Sequence, residues 1–478
     1  MHGRFSGWLL GALVLAVFCG AATVAEAQSN DPAVPAESNY PVASDQTQVI
    51  PFAQASMAET YTVSSAAADD GDLAKRLAAV EKALKKIDDK AKEDKAKAAA
   101  KMTAVPYGRI HMDTASFSQD PVYPTDNANG VEFRTIRLGI KGDGFDIMKY
   151  TIEVDFANQA VVAKDIYMNI GELPLLQNIQ IGHFKEPFSL DELTSDNYIT
   201  FMERNLPNDL MAPKRHLGVM AHGHNEAERA TYAIGVFAER GEAAIVQNDN
   251  FGGAVTMRGT YLPWYDEATN GRGLFHTGVS YSYRDAFNNQ WAMPSLRPES
   301  HLAGVLASGS MLNVDTRNEL GTELALVYGP LSIQSEYYLN TIDRLGATPN
   351  SNTQGAYVYF SYFLTGENRP YNRASGVFDR VKPFENFFRV RDENGYVYMG
   401  KGAWELKYRF SYLDDYDGGL TGITPYPGAI ADHTLGANWY LNPYMRMMFE
   451  YVHSGINRFN GAGQGDLNIF QMRAAIDF

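Results

Sequence analysis

The sequence predicts an all-β protein, a transmembrane antiparallel β-barrel of about 16 strands preceded by an N-terminal coiled-coil helix. Three observations carry that expectation. From Tyr107 onward, apolar and polar residues alternate with period two, in segments of about ten residues that match a tilted membrane strand. The apolar faces are rich in aromatic residues, with 28 Tyr and 25 Phe in the chain, as the interfacial girdles of a barrel require. A secretory address precedes this body, yet no later stretch is long and apolar enough for a membrane helix. A soluble β-sandwich also alternates, but it buries its apolar face and needs no aromatic girdles.

Residues 1–27 read as a signal peptide: Arg4, an apolar run from Trp8 to Cys19, then the small-residue site Ala25-Glu26-Ala27. Cys19 is the only cysteine, and bulky Phe18 before it argues against a lipoprotein anchor. The mature chain would therefore hold no disulfide and no thiolate metal site. Residues 28–71, rich in Ala, Ser, Pro and Asp, read as a flexible linker. In residues 72–101, Leu73, Leu77, Val80, Leu84 and Ile87 recur at spacings of 4, 3, 4 and 3, an a/d seam. The competing reading is a solvated, Lys-rich single helix. The net charge of −15 falls mainly on the body after residue 101, which disfavours nucleic acid as a partner.

The barrel is expected over residues 105–478. Sixteen alternating segments can be counted from Tyr107, and residues 300–307 read as a loop because single-chain bacterial barrels use even strand numbers. Sixteen strands leave an aqueous channel rather than a packed interior. The clearest dyad is residues 404–412: Trp404, Leu406, Tyr408, Phe410 and Tyr412 face lipid, and Glu405, Lys407, Arg409 and Ser411 face the lumen. An inward Lys407 is expected to tolerate substitution. In the last strand, Phe470, Met472, Ala474, Ile476 and Phe478 face lipid, and Gln471, Arg473 and Asp477 face inward. The lumen is mixed in sign. Arg109, Arg137, Lys141, Lys407, Arg409, Arg446 and Arg473 oppose Asp113, Glu153, Asp155, Glu323, Glu336, Glu405, Glu450 and Asp477. Such charges either line a pore or pair across strands to stiffen the wall.

Five stretches resemble the phosphate-selective porin O and P family: GHFKEPFSLDELTSDNYITFMERNL (182–206), YFLTGENRPYNRASGVFDRVKPFENF (362–387), WELKYRFSYLD (404–414), LGANWYLNP (435–443) and the terminal MRAAIDF. The resemblance covers roughly residues 105–478. It implies a homotrimeric outer-membrane channel of a Gram-negative-type bacterium, with a long loop, here residues 186–214, folded inward as a constriction. It also implies passive diffusion of small hydrophilic solutes with a preference for anions, phosphate among them. Arg109 matches an inward arginine on the first strand. Arg134 matches the first of a paired arginine, whose second position is Thr135 here. Arg204 matches the constriction-loop arginine, and Arg137, Lys141 and Lys185 join the pore-lining set. Two departures stand out: Glu192 replaces a family lysine, and Asp196 replaces a family serine. A carboxylate in place of a phosphate-binding lysine reverses the local charge and should repel a dianion in a narrow pore.

The terminal aromatic Phe478 resembles the signal read by the barrel assembly machinery. Outer-membrane lipid and lipopolysaccharide are the expected surroundings, with the N-terminal segment in the periplasm. An alternative function is a structural tether from outer membrane to cell wall through residues 28–101. An enzyme is not expected, since no serine–histidine pair announces itself, and neither is a cofactor. His222-Gly223-His224 lacks further metal-spaced ligands and reads as a loop feature, and the acid clusters Asp414-Asp415-Asp417 and Asp392-Glu393 read as solvated loop charge.

Overall fold

The computed structural model describes residues 81–82, 84–86, 88–90, 101–157, 160–239, 252–391, 395–414, 428–457 and 464–478. The expected signal peptide, the linker, four of the five seam residues (all but Leu84) and the cluster residues Asp392, Glu393, Asp415 and Asp417 lie outside them. The described residues between 81 and 90 are helical, and Leu84 is exposed.

Among the described residues, sixteen strands close into one barrel, each antiparallel to its neighbours. The first are Val105–Gln119 (β1), Gly130–Gly144 (β2), Met148–Asp155 (β3), Val162–Leu173 (β4), Gln177–Lys185 (β5) and Arg215–His224 (β6). Ala230–Phe237 (β7), Gly253–Tyr265 (β8) and Gly273–Asp285 (β9) follow, then a hairpin outside the wall order, Gln290–Leu296 (β10) with Ala307–Leu312 (β11). The wall resumes with Val314–Tyr328 (β12), Leu331–Arg344 (β13) and Ser351–Phe363 (β14). Two more hairpins intervene, Tyr371–Asn372 (β15) with Val377–Phe378 (β16) and Phe388–Arg391 (β17) with Val397–Gly400 (β18). Ala403–Asp414 (β19), Ala429–Asn442 (β20), Met445–Asn457 (β21) and Gln464–Asp477 (β22) complete the wall.

The two faces follow the alternation. Along β19, Leu406 and Tyr408 are exposed on the outer surface, while Glu405, Lys407 and Arg409 are buried inward. Because the pleat has period two, a slip of one residue would turn Lys407 and Arg409 to lipid, so register is strongly specified. Closure comes from β1 against β22, with Arg109 opposite Asp477 and Asp113 opposite Arg473. At the seam, the Gly108 and Phe478 backbones exchange two hydrogen bonds of 3.0 Å each. A Cβ on Gly108 would lie 2.7 Å from the Phe478 ring and 2.8 Å from the Arg137 carbonyl, so the aromatic ring needs a glycine beneath it.

Short turns at 145–147, 174–176, 329–330 and 443–444 share one end of the barrel, and 186–214 and 286–313 connect strands at the other. Short turns mark the periplasmic end of such barrels. The connection 364–402 departs from that rule, since it is long and sits at the short-turn end. Residues 300–307 form a loop up to the start of β11, as expected. The three small hairpins were not expected from the sequence, and the structure corrects the loop expected at His222-Gly223-His224, which instead ends β6. There the His222 ring is 3.0 Å from Asn169 Oδ1, and the His224 amide donates to Gln177 Oε1.

Candidate functional site

Residues 186–214 run across the inside of the barrel, and inward side chains of the wall hold them there. Ser189 caps a single-turn helix, Leu190–Leu193 (α1), by accepting from the Glu192 amide. Glu336 on β13 accepts from the Leu190 and Asp191 amides at 3.0 and 2.8 Å, placing a carboxylate at the exposed N–H end of that turn. Asn205 caps a second helix, Leu206–Met211 (α2), with Pro207 in its first turn. Glu450 accepts from the Met202 amide at 2.7 Å, while Lys407 donates to the Thr200 carbonyl and Arg446 to those of Ile199 and Asp196. Wall carboxylates thus meet loop N–H groups, and wall cations meet loop carbonyls. This accounts for the mixed sign of the lumen, since a docking bed for backbone needs both. It also overturns the expected tolerance at Lys407, whose ammonium is buried and 2.6 Å from Glu450.

The carboxylates that depart from the family pattern face the cations that match it. Asp196 lies 2.7 Å from Arg204, 3.2 Å from Arg137 and 3.6 Å from Arg109. Glu192 lies 3.1 Å from each of Arg204, Lys185 and Lys214. The wall adds Glu153 against Arg109, Asp155 against Arg137 and Asp165 against Arg215. With Asp209 at 3.7 Å from Lys214, six cations meet six carboxylates and the formal charge cancels. Burial alone would raise the two loop carboxyls, but their cations, Arg204 foremost, hold Glu192 and Asp196 well below the usual carboxylate range. Burial would likewise lower Arg204, and Glu192 and Asp196 more than offset it. These groups stay charged across neutral pH.

Arg134 belongs to a neighbouring node. The register of β1 with β2 shifts between His111 and Met112, leaving Arg134 as the extra residue of a bulge beside inward Thr135. Its guanidinium grips Glu203 through two bonds of 2.9 and 3.0 Å, and Glu203 also meets Arg473, which is paired with Asp113. Above this node a cavity of about 250 Å³ is lined by Arg134, Glu203, Asp209, Lys214, Arg297 and His301. Lys141 is not brought into either node. It keeps the inward register but lies four residues beyond Arg137, about 13 Å along the strand, where it is exposed and stands over the Tyr107 ring.

Two further segments enter the barrel whose inward course the sequence did not reveal. Connection 286–313 brings Glu299 against Arg409 and Thr434, Trp291 over Arg317, and His301 against Glu132. From the opposite end, residues 364–387 bring Tyr371 to His276, Arg369 to Gln334, and Arg380 to both Asp477 and Tyr198. Phe378 packs in one cluster with Leu190 of the inward loop. A cue for this second segment was present. Even-strand parity puts the connection that precedes the 404–412 strand at the short-turn end, where a long connection is anomalous.

A closed sixteen-stranded wall with an apolar exterior, a charged interior and a loop folded across it defines a porin, a barrel for diffusion through an outer membrane. The profile of the family described as "Phosphate-selective porin O and P" matches residues 106–478, and the chain belongs to that family. It is 26% identical over 401 residues to Porin O of Pseudomonas aeruginosa, covering 75% of this chain and 85% of that protein. An uncharacterized protein of Caulobacter vibrioides is 29% identical over 305 residues, covering 61% of this chain and 57% of that one. Among solved structures, a loop L8 deletion mutant of the Vibrio cholerae outer membrane protein OmpT aligns with a TM-score of 0.48 at 12% identity, over 79% of this chain and 99% of that one. The protein is an outer-membrane porin for passive diffusion of small hydrophilic solutes.

Proposed function

We propose that this porin passes small hydrophilic solutes with only weak preference for anions, because its constriction carries its own anions. The observation behind this reading is the double pairing at Glu192 and Asp196, which engages Arg204, Lys185, Lys214, Arg137 and Arg109. A tethered carboxylate competes with a diffusing phosphate at high effective concentration. A phosphate entering here must displace a charge-assisted bond before gaining one. Basic residues that the family pattern supplies for anion binding are thereby used within the protein.

Further parts of the reading rest on the family resemblance and the position of the chain. A homotrimer is the proposed assembly. Val105 opens β1 at the short-turn end, which supports a periplasmic location for the N-terminal helix. Reversal potentials in planar bilayers under a potassium chloride gradient test the central point. A small reversal potential, with chloride current unaffected by added phosphate, supports the reading. A strongly anion-selective current that phosphate blocks overturns it.

A further inference from the structure

The connection 364–402 does not remain in the lumen. Val381 packs with Phe363, Ala403 and Tyr440, all inward residues at the rim. Six residues later, the Phe387 ring meets Trp439 edge-on at 4.5 Å, and Trp439 stacks on Trp404 at 5.0 Å. Trp404 shares its face of β19 with Leu406 and Tyr408, and Trp439 shares its face of β20 with Leu435, so both indoles belong to the lipid-facing surface. The Phe387 amide donates to the Leu441 carbonyl, and the Trp439 indole N–H donates to the Lys401 carbonyl. The chain therefore passes under the rim between Val381 and Phe387, and the β17–β18 hairpin is moored to the outside of the barrel.

That hairpin is unlike a water-facing one. Phe388, Tyr396, Val397, Tyr398 and Met399 are all exposed, Tyr396 at 74% and Met399 at 65%. Its register puts Arg389 opposite Met399 and Arg391 opposite Val397, so one face interleaves two guanidinium groups with two apolar side chains. A lone two-stranded hairpin is marginal in water, and these five side chains are exposed rather than buried in a core of the described residues. Its position continues the aromatic girdle of Trp404 and Trp439 at the periplasmic rim, where aromatic rings and basic side chains meet headgroups.

We propose that the paired strands Phe388–Arg391 and Val397–Gly400 form a lipid-binding element seated in the headgroup and upper acyl region of the periplasmic leaflet. Its aromatic and aliphatic side chains enter the leaflet beside Trp439, and Arg389, Arg391 and Lys401 meet lipid phosphates. It thereby anchors the exit of the lumenal segment 364–387 to the membrane as well as to the wall. The test uses the full chain in a Cys19→Ser background carrying Met399→Cys or, on the same hairpin face, Val397→Cys. Each is labelled with bimane after folding and reconstituted into phosphatidylethanolamine–phosphatidylglycerol vesicles. Leu406→Cys reports the lipid belt, and Glu267→Cys reports an exposed turn. Lipid bearing a nitroxide near its headgroup should quench M399C and V397C strongly, while aqueous iodide leaves most of their emission. Iodide quenching like that of E267C, without nitroxide quenching, would place the hairpin in water. Protection from both quenchers would mean that protein, such as a second copy of the barrel, covers it. Either result overturns the proposal.

Discussion

Lys407 has no accessible side-chain surface, and besides Glu450 it donates to Asn438 at 2.6 Å and to the Thr200 carbonyl at 2.9 Å. Removing one member of a buried pair leaves the other charge unpaired, so Lys407→Ala is expected to lower barrel stability by roughly 3–5 kcal/mol. Glu450→Gln in the same chain should recover part of that loss, as urea unfolding of the folded barrel would show. Asp209 makes a different prediction. Partial burial pushes its carboxyl up to about 6, against the opposing pull of Lys214. Between the ordinary value of 3.8 and about 6 the folded state holds a proton that the unfolded chain releases, so this group's contribution to stability falls as pH rises through that window. In the channel, protonation removes a negative charge beside Lys214, and anion preference should rise as pH falls through about 6. Asp209→Asn should abolish that step in a reversal-potential titration. Which face Lys407 and Asp113 occupy was legible from alternation alone. That Asp196 sits among Arg109, Arg137 and Arg204 was not, because its wall partners come from distant strands and a bulge shifts the register above them.

Strands were the most readable elements, since a half-apolar, half-charged period leaves one register only. The connections were less so. Loop 186–214 could be marked as inward by resemblance, yet its attachment through Glu336, Glu450 and Arg446 depends on which wall residues lie at its height. Hairpins β10–β11 and β17–β18 are held by contacts made far away in sequence, and their alternation is too brief to announce a strand. At the closing seam, deleting Phe478 removes both backbone bonds to Gly108 and the ring above it. The deletion should reduce the heat-modifiable, folded fraction recovered from outer membranes, and a normal yield would show that β1 and β22 close without it. On the lipid face, Tyr408→Arg should destabilise the barrel by about 2–4 kcal/mol if residue 408 lies near the bilayer midplane. Unfolding from lipid vesicles measures this directly.

Across the whole molecule, a wide barrel is narrowed by what folds into it. Loop 186–214 and connection 286–313 enter from one end and residues 364–387 from the other, and the inward charges of the wall are largely engaged in holding them. The cations gathered around the inward loop are matched by Glu192 and Asp196. On the proposed function, these two carboxylates, rather than a shortage of basic residues, limit anion binding. The most direct measurement is phosphate block of chloride current in planar bilayers for the double variant Glu192→Gln/Asp196→Asn, using protein first shown to be folded by heat modifiability. Removing both charges frees Arg204, Lys185, Lys214, Arg137 and Arg109 of their loop anions. The expected result is a reversal potential shifted toward anion selectivity and phosphate block absent from the parent channel. A double variant with the parent's reversal potential and no phosphate block would contradict it.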